Sequence, residues 1–214
     1  MTTCIICAGD TSANDTLRIG VVGDSISAGT PHWDPDPKVR AAIAEQDERG
    51  AWPYWAARAD RKLCFVVSAV DGQRTDEIVR RLDLVGGGLD AIVVQGGIND
   101  LAQGRTPKQA AEGIRHLVEQ ALDFGVPVGI PEILPWNSGY PTHQFSIQEL
   151  NALVHEIAGE FHVTVFPFYR VLEDAERPGR MRPEWTVDGS HPSVEGHRRL
   201  GELAFSVPTR SRDY

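Results

Sequence analysis

The chain is poor in cysteine, with three in 214 residues, and three thiols cannot close a disulfide framework. A stapled miniature fold is excluded, and a chain of this length buries a sizeable core without one. Cys4 and Cys7 form a lone C-x-x-C, whereas a structural zinc site needs four ligands. That segment reads as reduced and partly frayed, with no metal. Long apolar runs are missing too. The longest, at 63–67 and 91–94, fall far short of the roughly 18 residues of a membrane helix. Basic residues are scarce: 21 Lys and Arg against 30 Asp and Glu give a formal charge of −9. Such a chain is repelled by phosphate backbones and anionic lipid, so neither nucleic acid nor membrane insertion is expected. The N-terminus has no basic, apolar leader, which points to a cytoplasmic location. No repeat, G-x-G-x-x-G or P-loop is present, and no cofactor is expected.

What is present is alternation. Residues 17–22, 62–68, 90–95, 126–130 and 163–166 are short continuous apolar runs, the pattern of strands buried on both faces. Helical patterns lie between them. In 106–124, Ala110, Ile114, Leu117, Val118, Ala121 and Leu122 recur at the 3.6 period. Thr106 is a natural N-cap, Pro107 suits the first helical position, Gln109 completes a capping box and Gly125 stops the helix. A second helix is predicted over 145–161, with shorter ones at 52–59, 76–84 and 194–206. Five β-α repeats predict a three-layer α/β/α sandwich on a five-stranded parallel sheet. Residues 1–214 read as one domain, with 1–16 a mobile extension and 207–214 a mobile tail.

Sites in such sheets form outside the carboxyl ends of the strands. That rule selects Gly23-Asp24-Ser25, Asp71-Gly72, Gly97-Ile98-Asn99-Asp100 and Asp188-Gly189-Ser190-His191. A serine hydroxyl is a weak nucleophile that needs a base, a group orienting the base and donors for an oxyanion. Ser25 is the candidate nucleophile, His191 the base and Asp188 its orienter. The Ser25 N–H, the Gly72 N–H and the Asn99 amide are the candidate oxyanion donors. The α/β-hydrolase elbow G-x-S-x-G is not matched, because Ser27 stands where its second Gly belongs.

These motifs, in this order, resemble the SGNH (GDSL) hydrolase family over nearly the whole chain. Gly23-Asp24-Ser25-Ile26-Ser27 is similar to its first block, Gly72 stands where its second block has the oxyanion glycine, Gly97-Ile98-Asn99-Asp100 matches G-x-N-D, and Asp188–Pro192 matches D-x-x-H-P. The second block departs from the pattern, with Val67-Ser68-Ala69 where an Asn is usual. The resemblance implies a flavodoxin-like sheet and a serine esterase acting on a small-molecule ester of short-to-medium acyl chain. A carbohydrate acetylesterase, or an acyl-thioesterase or lysophospholipase, would use the same groups. A binding module with a dead site is the reading from another class.

Further expectations attach to single residues. Trp136 and Trp185 are candidates for lining a substrate pocket, and Arg74 for meeting an anionic substrate group. Asp24 and Asp100 are expected to hydrogen-bond loop backbone, and Trp52 and Trp55 to be core. The other six histidines read as surface or satisfied core. Residues 29–50 form a long Pro- and charge-rich segment that suits a loop or lid.

Overall fold

Six apolar segments pair into one sheet. They are β1 (Cys4–Cys7), β2 (Leu17–Gly23), β3 (Leu63–Ala69), β4 (Ala91–Val94), β5 (Val128–Pro131) and β6 (Thr164–Phe166). The structure is a computed structural model that describes residues 3–8, 15–29 and 47–209. The strand order is β1-β3-β2-β4-β5-β6. Strands β2 to β6 run parallel, and β1 lies antiparallel on the outer side of β3.

The sixth strand corrects the expected count of five, and it also corrects the expectation of a frayed, reduced segment at Cys4–Cys7. Strand β1 occupies the backbone edge of β3. Its register sets Cys7 opposite Cys64, and the two form a disulfide, leaving Cys4 free. Ile6 is buried and Ile5 is exposed, the alternation of a one-sided strand. Residues 1–2, 9–14, 30–46 and 210–214 lie outside the described residues, and with them most of the 29–50 segment.

Helices cover both faces. They are α1 (Ser25–Ala28), α2 (Trp52–Ala59), α3 (Thr75–Ile78), α4 (Ile98–Ala102), α5 (Pro107–Leu122), α6 (Gln144–Phe161), α7 (Phe168–Leu172) and α8 (Val194–Arg199). Alternate strand residues serve opposite layers. Val22, Ile92 and Val94 pack with Ile114, Leu117, Leu150 and Val154 of α5 and α6. Ile19, Val21 and Val93 pack instead with Trp52, Phe65, Phe168 and Leu200. The capping box of α5 is formed, with Gln109 N–H donating to Thr106 Oγ1 and Thr106 N–H to Gln109 Oε1. The helix predicted over 76–84 is instead α3 followed by a 3-10 segment, Val79–Val85. The one predicted over 194–206 is α8 followed by a π-helical turn, Leu200–Ala204.

Two features of this fold position the site. The chain passes from β2 outward to β3 and then returns across β2 to β4. That reversal opens a crevice between the carboxyl ends of β2 and β4, where open α/β sheets bind ligands. Gly113 in α5 lets that helix lie against the start of α3, since a Cβ there would stand 1.9 Å from Thr75 Oγ1. Among the described residues no helix is long and apolar enough to cross a membrane, and no group of three or more His, Cys, Asp or Glu is placed to hold a metal.

Candidate active site

Strand β2 ends at Gly23, and the chain turns at once into α1. Asp24 makes the turn: it is the N-cap, and its Oδ1 accepts the Ile26 N–H at 3.0 Å. Ser25 is thereby the first helical residue, lifted to the rim of the crevice. Its Oγ lies 3.0 Å from His191 Nε2. His191 Nδ1 lies 2.8 Å from Asp188 Oδ2. The same carboxylate turns its other oxygen to the backbone, accepting the His191 N–H at 2.7 Å and the Ser190 N–H at 2.8 Å. Burial pushes the Asp188 pKa up, but the His191 ring and these N–H groups outweigh it, so it stays below the ordinary carboxylate range. A carboxylate held ionised at Nδ1 keeps the imidazole in the tautomer that leaves Nε2 free to take a proton from the serine.

The donors expected around the serine come from the ends of β3 and β4. Gly72 adopts φ +75°, a conformation that Cβ-bearing residues rarely adopt, although a Cβ there would meet nothing within 4 Å. Its requirement for glycine is thus conformational, and its C=O is fixed by Gln103 Nε2 at 2.9 Å. Among the described residues neither the Gly72 N–H nor the Ser25 N–H has an acceptor. Asn99, early in α4, donates from Nδ2 to Gln73 O at 3.0 Å and to Asp24 Oδ2 at 3.3 Å.

Asp24 and Asp100 bond loop backbone, as expected, and also do more. Asp24 is fully buried, accepts Gln95 Nε2 at 2.8 Å, and receives the Asn99 amide. Burial pushes its pKa up to about 6, against the opposing pull of the Ile26 N–H and the Gln95 amide. Asp100, also buried, accepts the Thr75 N–H and Oγ1–H and pairs with Arg105, tying the Asn99 turn to the start of α3. Gln95 is a member that sequence reasoning missed. Its Oε1 accepts the Asp24 N–H and Ser27 Oγ–H, and Ser27 Oγ in turn receives Trp52 Nε1–H. The available signal is a polar residue directly after the apolar run 91–94.

The remaining expectations divide. Trp136 donates from Nε1 to Ser190 Oγ at 2.8 Å and stacks on His143 at 4.7 Å. It forms one wall of a small apolar pocket with Ile26, Ile98, Ile133, Leu134 and Phe168, beside the residues that follow Ser25 and precede Asn99. The open volume is about 20 Å³, whereas a single water needs roughly 10–15 Å³. Trp185 stands apart from that pocket, its ring against the guanidinium groups of Arg182 and Arg199, 4.9 and 4.1 Å away. Arg74 is engaged by Asp76 through Nε and Nη2 and by Gln103 through Nη1, so its three nitrogens already have partners. Trp52 is fully buried core, and Trp55 is half-buried, donating to Arg49 O. Of the histidines, His197 corrects the expectation of satisfied core: it is 1% exposed, and its Nδ1 has no partner among the described residues. His32 lies outside the described residues.

Comparison with known proteins bears on the family and the fold. The sequence model of the GDSL-like lipase/acylhydrolase family matches residues 21–199. The solved structure of a member of the lipolytic protein G-D-S-L family from Veillonella parvula is 20% identical, with TM-score 0.70 over 87% of this chain and 94% of that one. The lipase/acylhydrolase from Enterococcus faecalis is 22% identical, with TM-score 0.63 over 88% and 93%. A GDSL-like lipase from Bacteroides thetaiotaomicron is 18% identical, with TM-score 0.63 over 92% and 89%. No curated protein matches the chain.

Proposed function

Since the chain belongs to the GDSL-like lipase/acylhydrolase family, we propose that it is a serine esterase releasing short acyl groups from carboxylic esters through an acyl-enzyme on Ser25. The observation that carries this reading is the continuous relay from Ser25 Oγ through the His191 ring to Asp188, with bonds of 3.0 and 2.8 Å.

Ser25 Oγ attacks the ester carbonyl carbon while its proton passes to His191 Nε2. The carbonyl oxygen becomes an oxyanion, received by the Ser25 and Gly72 N–H groups and the Asn99 amide. Of the two Asn99 bonds, the 3.3 Å one to Asp24 is the weaker and the more readily exchanged for an oxyanion. His191 returns its proton to the leaving alcohol, and the C–O bond breaks. Water then attacks the acyl-serine, His191 takes its proton, and the acid departs as Ser25 regains its hydrogen. Asp188 holds the ring and stabilises the imidazolium in both halves. No metal or cofactor has a step in this cycle.

The pocket beside Trp136 supports the short end of the acyl range, because the space it offers is small and walled by Trp136, Ile133 and Phe168. An acetylesterase acting on a carbohydrate alcohol is therefore the favoured second reading, ahead of a thioesterase or lysophospholipase. The test is a series of p-nitrophenyl esters from acetyl to palmitoyl, with Ser25→Ala as the blank. The expected result is a maximum at acetyl to butyryl, falling to the blank at long chains. A maximum at decanoyl or beyond refutes the short-acyl assignment, and no rate above the blank refutes the esterase.

A further inference from the structure

Arg81 lies in the 3-10 segment after α3 and is only 4% exposed. Among the described residues no carboxylate bonds to it. Its Nε donates to Gln73 Oε1 at 2.7 Å, its Nη1 to Ser68 O and, at 3.0 Å, to Ser68 Oγ, and its Nη2 to Gly23 O at 2.8 Å. A buried cation without a paired anion is costly, and an apolar side chain of similar size would often serve stability better. Burial accordingly pulls its pKa down, while Asp24 and Glu77 push it back up. The groups it holds explain the choice better than stability does. Gly23 closes β2 immediately before Asp24 and Ser25. Ser68 lies at the end of β3, where the chain enters the Gly72 loop. Gln73 follows Gly72, and its own carbonyl receives the Asn99 amide at 3.0 Å. The segments that carry the Ser25 N–H and the Gly72 N–H thus meet on one guanidinium, and the Asn99 amide joins them through the Gln73 carbonyl.

We propose that Arg81 is a positioning residue of this esterase, its planar fork setting the spacing of the three oxyanion donors without touching the substrate. The proposal rests on the esterase reading. Only a guanidinium suits this role, since five N–H groups in one rigid plane reach Gly23, Ser68 and Gln73 together, whereas a lysine ammonium is a single point on a flexible stem. A donor displaced by about 1 Å can cost on the order of 10²-fold in rate.

The test compares Arg81→Gln and Arg81→Lys with the parent on p-nitrophenyl acetate, alone and combined with Asn99→Ala, after circular dichroism confirms folding at the assay temperature. Both Arg81 variants are expected to lose roughly 10- to 100-fold in kcat, with KM within about threefold of the parent. Lysine keeps the charge without the fork, so it should not restore the rate. Combined with Asn99→Ala, itself expected to cost on the order of 10²–10³ in kcat, the Arg81 losses should be less than multiplicative, because one of the donors that Arg81 sets is then already absent. If the Arg81 variants do not fold, Gln73→Ala and Ser68→Ala each remove part of the grip. They should then lower kcat by about 3- to 10-fold, also non-additively with Asn99→Ala. The inference is overturned by folded Arg81 variants with kcat within about twofold of the parent, by recovery with lysine, or by losses that multiply with Asn99→Ala. A parent no faster than Ser25→Ala would instead overturn the esterase reading, and this inference with it.

Discussion

Replacing Asp24 by asparagine should slow the enzyme and at the same time make its fold more tolerant of alkaline pH. The Asp24 carboxyl is fully buried, and burial pushes its pKa from 3.8 to about 6 despite the Ile26 N–H and Gln95 amide bonds it accepts. The folded state therefore holds this proton more tightly than the unfolded chain does. The stability it confers is complete below pH 3.8 and is lost as pH rises through 6. At 1.36 kcal/mol per pH unit, the span from 3.8 to about 6 amounts to about 3 kcal/mol against the fold once the carboxyl ionises. The amide of Asp24→Asn cannot ionise. Every other group titrates in both proteins, so in the difference between variant and parent they cancel. Urea unfolding across the pH range should show that difference moving in the variant's favour by about 2–3 kcal/mol between pH 4 and pH 8. Any constant loss from the changed hydrogen bond shifts the curve without altering its slope. In the same variant an amide nitrogen faces Asn99 Nδ2 in place of the carboxylate oxygen now 3.3 Å from it, so two donors oppose each other. The Asn99 amide should lose its orientation, with kcat at pH 8 falling by about 10-fold or more. A stability difference flat between pH 4 and pH 8 would refute the account of the buried carboxyl. An unchanged kcat would refute its hold on Asn99.

Two further substitutions probe the packing around the site. In Gly113→Ala the added Cβ would stand 1.9 Å from Thr75 Oγ1 and 2.6 Å from Thr75 Cβ, so α5 must move away from α3. A loss of roughly 1–3 kcal/mol is expected on thermal unfolding, although alanine favours a helix by about 1 kcal/mol, and a more stable variant would contradict this close approach. His197→Phe addresses a ring whose pKa is pushed by burial from 6.5 down to about 3. The unfolded chain binds that proton first, so the parent loses stability as pH falls from 6.5 toward 3. The Phe variant lacks this loss, and its acid-unfolding midpoint, followed by tryptophan fluorescence, should lie at lower pH. An unchanged or higher midpoint counts against a neutral buried His197.

Much of this molecule was legible in the order of its residues because the responsible forces are local. The continuous apolar runs at 17–22 and 90–95 are strands because side chains on both faces must be covered. Thr106, Pro107 and Gln109 start α5 by satisfying their own backbone, with no help from the rest of the chain. Gly23-Asp24-Ser25 forms its turn through a contact two residues long, Asp24 to Ile26. Asp188 reaches His191 across three residues, so the acid–base pair is also nearly local. Strand β1 escaped notice because four residues of Cys-Ile-Ile-Cys carry no periodic signal, and only the edge of β3 gives them a partner. Arg81 was hidden in the same way, since its position on the apolar side of 76–84, between Ile78 and Leu82, states where it points but not what waits there.

The sequence by itself determined the strands, the helix caps, the turn that presents Ser25 and the chemistry each motif can perform, since these depend on neighbours a few residues apart. Only the tertiary structure decided that Ser25 meets His191 across 166 residues and Asn99 meets Asp24 across 75. It also decided that Arg81 gathers Gly23, Ser68 and Gln73, that Trp136 walls the pocket while Trp185 does not, and that Cys7 finds Cys64. The reason is physical. Those contacts follow from strand order and from the close packing of helices on the sheet, and both are properties of the whole chain folding cooperatively rather than of any segment within it.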